Sequence, residues 1–155
     1  MLAEKLAEFY HNYDPIHKNT DMERSTKLMQ SLLERGRLIV EFNGAEEIVG
    51  FVESWRVNYE QFGKLICYPG YPEDFDKWDI NSGNICYLSN IVIHPAYRMG
   101  TTIKLFKNEF FRQNFKCDFF VGQAYRKRHQ PLKVFTRQEF YDRYASKTKE
   151  VVSNG

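Results

Sequence analysis

The stretch from Asn84 to Phe115 constrains this chain most, because its hydrophobic period changes partway along. Ile85 to Ile93 carries apolar residues on both parities, Ile85, Tyr87, Ile91 and Ile93 against Cys86, Leu88 and Val92. A strand covered on both faces has that pattern. His94 and Pro95 end it, Tyr97, Arg98, Met99 and Gly100 make a tight connection, and Ile103, Phe106 and Phe110 then recur at helical spacing through Asn114. A strand, an arginine- and glycine-bearing turn and a helix aim backbone N–H groups and a positive helix end at one spot, which suits an anion. The same pattern also fits a plain strand-turn-helix unit without a ligand.

The flanking sequence supplies a mixture of helices and strands. A stripe of Leu2, Leu6, Phe9, Tyr10 and Tyr13 predicts a helix from about Leu2 to Tyr13. Asp14 stops it, since a residue preceding proline disfavours helical geometry. Thr20 and Glu23 have capping-box spacing and open a second helix that carries Met22, Leu28, Met29, Leu32 and Leu33 to Gly36. Arg37 to Phe42 and Glu47 to Val57 read as two strands about Asn43-Gly44, a hairpin signal. Residues 58–83, broken by Gly63, Pro69, Gly70, Pro72 and Gly83, read as a long loop. Cys117 to Gly122 reads as a further strand, Val134 to Phe140 as a last strand or the start of a helix, and 141–155 as a fraying tail.

Length and charge narrow the class. A chain of 155 residues suits a single domain with a substantial core, and a net charge of +2 implies no strongly polyanionic partner. No apolar run approaches the ~20 residues of a membrane span. Glu4 and Lys5 interrupt the apolar start, so no signal peptide is expected and the protein reads as soluble and cytoplasmic. With 13 Phe and 10 Tyr, aromatic rings should dominate the core and any pocket. Cys67, Cys86 and Cys117 are odd in number and form no Cys-x-x-Cys pair, so buried reduced thiols are expected rather than a disulfide framework or a metal site.

The Asn84 to Phe115 stretch resembles motif A of the GCN5-related N-acetyltransferases. In that family a strand ending in a hydrophobic-x-Pro-x-Tyr-Arg pattern runs into an Arg/Gln-x-x-Gly-x-Gly/Ala loop and then a helix. Ile48 to Glu53 is likewise similar to the family's third strand, in which a glycine follows a valine or isoleucine. The resemblance implies an α/β (α+β) fold, a mixed central sheet with flanking helices and a splayed central strand. It also implies acetyl-coenzyme A as co-substrate and acetyl transfer to an amine by direct attack. By the same resemblance Ile91, Val92 and Ile93 would face the pantetheine arm, and Arg98, Met99, Gly100, Thr101 and Thr102 would hold the phosphates. The chain departs from the pattern in places. Glycine follows Arg98 by two positions rather than three, Ile85 stands about where the family has a glutamate, and Pro131 interrupts the helix expected after the Cys117 to Gly122 strand.

Acyl transfer requires an amine to be deprotonated and positioned, an oxyanion to be held and a thiolate to leave. Glu53, set among Phe51 and Trp55, is the candidate base, because apolar surroundings raise a carboxylate pKa. The alternative is an outward-facing strand residue. Tyr125 falls near the family's thiolate-protonating tyrosine and is the candidate acid. Within the long loop, Glu73, Asp74, Asp76 and Asp79 alternate with Tyr71, Phe75 and Trp78. That segment is either an acidic, aromatic flap selecting the amine or a surface excursion packed on its own rings. Arg126 to His129, with Lys133 and Arg137, forms the most basic segment; it suits a coenzyme phosphate, a nucleic-acid backbone or simply solvent. Two rivals to the enzyme follow, a non-catalytic binding or inhibitory protein on the same fold and a nucleic-acid-modifying transferase. The acceptor, small molecule or protein, is not specified by any of these features.

Overall fold

The computed structural model describes residues 1–14, 21–67, 82–98, 102–122 and 133–145, without the side chains of 64–67 and 144–145. Two helices, α1 (Leu2–Tyr13) and α2 (Met22–Glu34), precede strands β1 (Leu38–Phe42) and β2 (Ile48–Val57). Then come α3 (Tyr59–Cys67), β3 (Ile85–Ile93), a 3-10 turn at Pro95–Tyr97 and α4 (Thr102–Gln113). Strands β4 (Phe119–Gly122) and β5 (Lys133–Thr136), helix α5 (Arg137–Phe140) and a π-helical turn at Tyr141–Ala145 complete the order. The five strands form one sheet in the order β1-β2-β3-β4-β5, antiparallel except for the β3–β4 pair. This is the mixed sheet with flanking helices expected for the fold. Among the described residues, no helix is long and apolar enough to cross a membrane.

Each face of the sheet carries its own core. Leu6, Tyr10, Met29 and Leu32 of α1 and α2 pack against Phe51, Trp55, Val57, Ile85 and Val92 on one face. Phe106 and Phe110 of α4 pack with Cys86, Ile93, Phe120 and Phe140 on the other. The second core is built of rings, with Phe120 stacked on Phe140 at 4.7 Å and Phe111 on Phe140 at 6.0 Å. Aromatic pairs at these spacings contribute beyond their buried area. Asn114 Nδ2 donates to Phe110 O, and Arg56 reaches across from β2 to donate to Asn114 Oδ1 and Gln113 O, closing the last carbonyls of α4.

Several local expectations are corrected. The Asn43-Gly44 signal marks a turn, but not a two-residue one. Asn43 Oδ1 accepts from the N–H of Ala45 and of Glu47, and Glu46, at φ 62°, takes the left-handed position. The Asn side chain thus replaces the backbone geometry that an Asn-Gly hairpin would supply. The cap of α2 is Asp21, whose carboxylate accepts from Arg24 N–H; the expected cap residue Thr20 lies outside the described residues. Residues 59–67, read as the start of a long loop, form α3, and Gly63 sits in it at a position with open space around it. Both readings of 134–140 hold in succession, since β5 runs into α5 where Thr136 Oγ1 accepts from Glu139 N–H. The expected tail begins as the π-helical turn, held on α4 by Tyr141 against Phe111 at 5.5 Å. The acidic, aromatic part of the loop, 71–79, lies outside the described residues.

At Gly50 the backbone of β2 lies close against both β3 and α4. A Cβ there would lie 2.6 Å from Val92 O and 3.2 Å from the Phe106 ring, whereas a Cβ on Gly44 would meet nothing within 4 Å. Gly50→Ala is therefore expected to destabilise by about 1–3 kcal/mol through overpacking. Gly44→Ala should stay within about 0.5 kcal/mol of the parent. Urea unfolding of the two variants beside the parent checks this, and equal midpoints for Gly50→Ala and the parent would refute the close approach.

Candidate functional site

Among the described residues, β4 pairs with only the first part of β3. They pair from Ile85/Phe119 to Leu88/Gly122, while β3 continues paired with β2 to Gly50/Ile93. Among the described residues, no strand pairs with the β4 side of Ser89 to Ile93. A bulge lies at the parting point, because Glu53 faces Asn90 but Ser54 already faces Leu88, so Ser89 has no opposite number. Ser89 Oγ accepts from the Trp55 indole at 3.1 Å and donates to Glu53 O at 3.1 Å, which pins the bulge.

One extra residue reverses the alternation of side chains. Before the bulge Ile85 and Tyr87 lean toward the α1 core; after it, Val92 does, while Cys86, Leu88, Ile91 and Ile93 belong to the α4 side. This explains the apolar residues on both parities. Of the three residues expected along the pantetheine arm, Ile91 lines the opening, and Val92 and Ile93 are buried in opposite cores. The bond from His94 N–H to Val49 O makes Gly50/Ile93 a non-hydrogen-bonded pair. Ile91, two residues back, therefore turns its own N–H and C=O away from β2 and toward the parting.

The parting opens a cavity of about 320 Å³. Leu88 to Ile91 form one wall, Ile103, Lys107 and Phe110 of α4 another, and Phe120 to Gly122, Lys133, Phe135 and Phe140 the third. The lining is largely apolar with a few polar groups, the usual composition of a ligand site. Lys107 and Lys133 are its only charged side chains among the described residues.

On the opposite face, behind the bulge, a buried polar chain runs inward from the cavity wall. Asn90 Nδ2 donates to Asp14 Oδ2 at 2.7 Å and to Tyr10 Oη at 3.1 Å, and Tyr10 in turn donates to Glu53 Oε2 at 2.9 Å. Glu53 is only 1% exposed, so it is not an outward-facing strand residue. The network also settles the Asn90 amide: both neighbours need a donor, so the nitrogen faces them and Oδ1 is the remaining acceptor. Asp14 reaches the network because Pro15 forces it out of α1 into an extended conformation at φ −106°, ψ 112°. Two buried carboxylates are thus joined through one tyrosine and one asparagine.

Arg98 follows the 3-10 turn, which is capped by His94 Nδ1 accepting from Ala96 N–H. Its guanidinium donates to Ile93 O at 3.0 Å and, more distantly, to Tyr13 O at 3.5 Å. The side chain therefore fastens the end of β3 to the end of α1. Thr102 begins α4. Met99, Gly100, Thr101 and Tyr125 lie outside the described residues. In the basic segment, Arg137 clamps the α4–β4 connection by donating to Cys117 O, Lys116 O and Asp118 Oδ1, and Lys133 reaches the cavity. Sequence reasoning missed Tyr10, Asp14, Asn90 and Lys107. An asparagine inside an apolar strand and an aspartate trapped before proline were the available signals.

The buried thiols of Cys86 and Cys117 are free and face one another. A hydrogen bond from Cys86 lowers the Cys117 pKa to about 7, and burial pushes the Cys86 thiol up.

No family model and no curated protein matches the sequence. Solved structures do match the fold. The loading GNATL domain of CurA from Lyngbya majuscula superposes with a TM-score of 0.57 at 13% identity, over 77% of this chain and 58% of that one. The GphF GNAT-like decarboxylase, in complex with isobutyryl-CoA, gives 0.56 at 15% identity, over 77% and 60%. A mosquito arylalkylamine N-acetyltransferase, like 5b, gives 0.53 at 9% identity, over 77% and 70%. The superposition thus spans about three fifths of the first two. The mixed five-stranded sheet with helices on both faces is that of the GCN5-related N-acetyltransferases, and this chain has their fold.

Proposed function

We propose that the protein is an acyl-coenzyme A-dependent N-acyltransferase that moves an acetyl group from acetyl-coenzyme A to an amine. The observation that carries this reading is the parting of β3 and β4 into a largely apolar cavity with the Ile91 main chain turned into it. A pantetheine arm is a slender chain with two amides, and it needs an apolar slot with an unpaired strand edge along one side. In this reading Ile91, Val92 and Ile93 supply that strand edge. Backbone amides from Arg98, Met99, Gly100, Thr101 and Thr102 hold the pyrophosphate ahead of α4.

The amine nitrogen attacks the thioester carbon, its proton leaves toward the carboxylate network, and the tetrahedral adduct collapses with departure of the thiolate. Glu53 acts as the base through the Tyr10 hydroxyl, which gives its proton to the carboxylate as it takes one from the amine side, while Asn90 holds that hydroxyl in place. Tyr125 protonates the thiolate. The pair of buried carboxylates supports an amine acceptor in particular, since a cationic amine gains attraction on approach before losing its proton. The reduced thiols Cys86 and Cys117 accord with a cytoplasmic setting.

Two experiments test this. Gly122 lines the cavity, and a Cβ there meets only ordinary contacts at 3.6 Å and 3.9 Å. Gly122→Leu should therefore fold, fill the opening and weaken acetyl-coenzyme A binding at least roughly ten-fold in calorimetric titration. Unchanged affinity in a folded variant would remove the cavity as the coenzyme site. Once an acceptor amine is found, Glu53→Gln, which keeps an acceptor for Tyr10, should lower kcat about 10²–10⁴-fold and leave coenzyme affinity intact. A kcat within two- or three-fold of the parent, which would rest on no general base at this position, would exclude Glu53 from that role.

A further inference from the structure

Among the described residues, the cavity wall has four polar side chains, Ser89, Asn90, Lys107 and Lys133. The lysines are hydrogen-bond donors only, and the Ser89 hydroxyl already accepts from the Trp55 indole and donates to Glu53 O. Asn90 differs from all three. Both of its side-chain N–H groups are engaged, one by Asp14 Oδ2 and one by Tyr10 Oη, whereas no donor among the described residues meets its Oδ1. The residue is only 7% exposed. A buried carbonyl oxygen without a donor is costly, and native structures keep few of them. The oxygen and nitrogen of an amide diverge from one carbon, so fixing Nδ2 on α1 turns Oδ1 away from Tyr10 and Asp14 and holds it in one direction. The acceptor is oriented before any ligand arrives.

The position of Asn90 bears on what that ligand is. It follows Ser89 at the bulge, where the described pairing of β3 with β4 has just ended. It is also bonded to the Tyr10 hydroxyl, through which the amine proton reaches Glu53. A nitrogen near enough to Tyr10 Oη to give up a proton is therefore a neighbour of Oδ1 as well.

We propose that Asn90 binds the acceptor nitrogen, its Oδ1 taking a hydrogen bond from an N–H that the acceptor keeps throughout the reaction. The proposal rests on the acyl-transfer reading above and narrows its acceptor to primary amines. A primary amine loses one proton toward Tyr10 and Glu53 as its nitrogen bonds to the thioester carbon. One N–H then remains for Oδ1, in the adduct and in the amide product alike. A secondary amine has no N–H left after the same loss, and Oδ1 is stranded. Sites built to pair with a substrate N–H discriminate strongly against the analogue that lacks it.

The test follows the side-chain carbonyl carbon of Asn90 by NMR in protein labelled at asparagine, the signal being assigned by its loss in Asn90→Ser. Methylammonium and tetramethylammonium form one pair of probes, equal in charge and different in N–H. N-methylacetamide and N,N-dimethylacetamide form a second pair, mimicking the products of a primary and a secondary amine. In each pair the member with an N–H should shift the Asn90 signal saturably and bind roughly ten-fold more tightly than the other. The preference should persist in Tyr10→Phe, which removes one anchor of the amide and leaves Oδ1. A shift that only reported movement of the buried network would vanish with the hydroxyl, and that result would overturn the proposal. So would an equal response, or none, within either pair. Coenzyme A is titrated alongside. If it shifts the Asn90 signal by itself and blocks both N–H probes, the partner of Oδ1 is a pantetheine amide and the assignment to the acceptor fails. If it binds while the probes do nothing, the acyl-transfer reading stands and the role of Asn90 falls. If it does not bind but the N–H preference is present, the acyl-transfer reading falls and Asn90 remains an amine-binding residue.

Discussion

The bulge at Ser89 is the constraint on which the rest of the arrangement depends. One residue without a partner in β2 shifts the β2–β3 register at the point where the described β3–β4 pairing ends at Leu88/Gly122. A defect of this kind would heal by register slip were it not held. Trp55 Nε1 and Glu53 O grip the Ser89 hydroxyl from β2, so the hydrogen bonds that a regular ladder would make are replaced rather than lost. The large buried ring of Trp55 anchors this grip in the α1-facing core. Core packing on one face thereby sets the opening on the other.

The same defect explains which residues face where. Without it, Ile91 and Val92 would exchange faces, Asn90 would leave the α1 side, and the contacts to Tyr10 and Asp14 would not form. Apolar β-branched residues on both parities make this inversion inexpensive, since either face of the sheet accepts them. An alternating strand with one polar face could not tolerate it. The near-continuous apolar run from Ile85 to Ile93 therefore does more than cover a buried strand, because it lets the strand change faces partway along.

What the sequence disclosed follows from the range of the interactions involved. Helices α1, α2 and α4 and strand β3 were legible because their signals are local: apolar spacing, a proline after Asp14, and Pro95 after His94. The course of the turn at 43–47 was not legible, since the Asn43 side chain, rather than Gly44, organises it. Helix α3 was obscured by Gly63, which lowers helix propensity yet sits where nothing crowds it. The site divides in the same way. Ile91, Val92 and Ile93 were singled out only through the resemblance of their strand to the family's, and the burial of Glu53 depends on α1 folding over β2 to bring Tyr10 to it, a contact between residues 43 positions apart. The Asn90 bonds to α1 span 76 and 80 positions, beyond the reach of any spacing rule. Lys107 was hidden for the opposite reason, because a lysine beside a stripe of Ile103, Phe106 and Phe110 is what any amphipathic helix shows.

Opposite charges end up on opposite faces of one sheet. On the α1 side, Asp14 and Glu53 are buried with Tyr10 and Asn90, while on the α4 side Lys107 and Lys133 line the cavity. A layer of apolar strand stands between the two groups. The two meet at the bulge, where Asn90 belongs both to the cavity wall and to the carboxylate network.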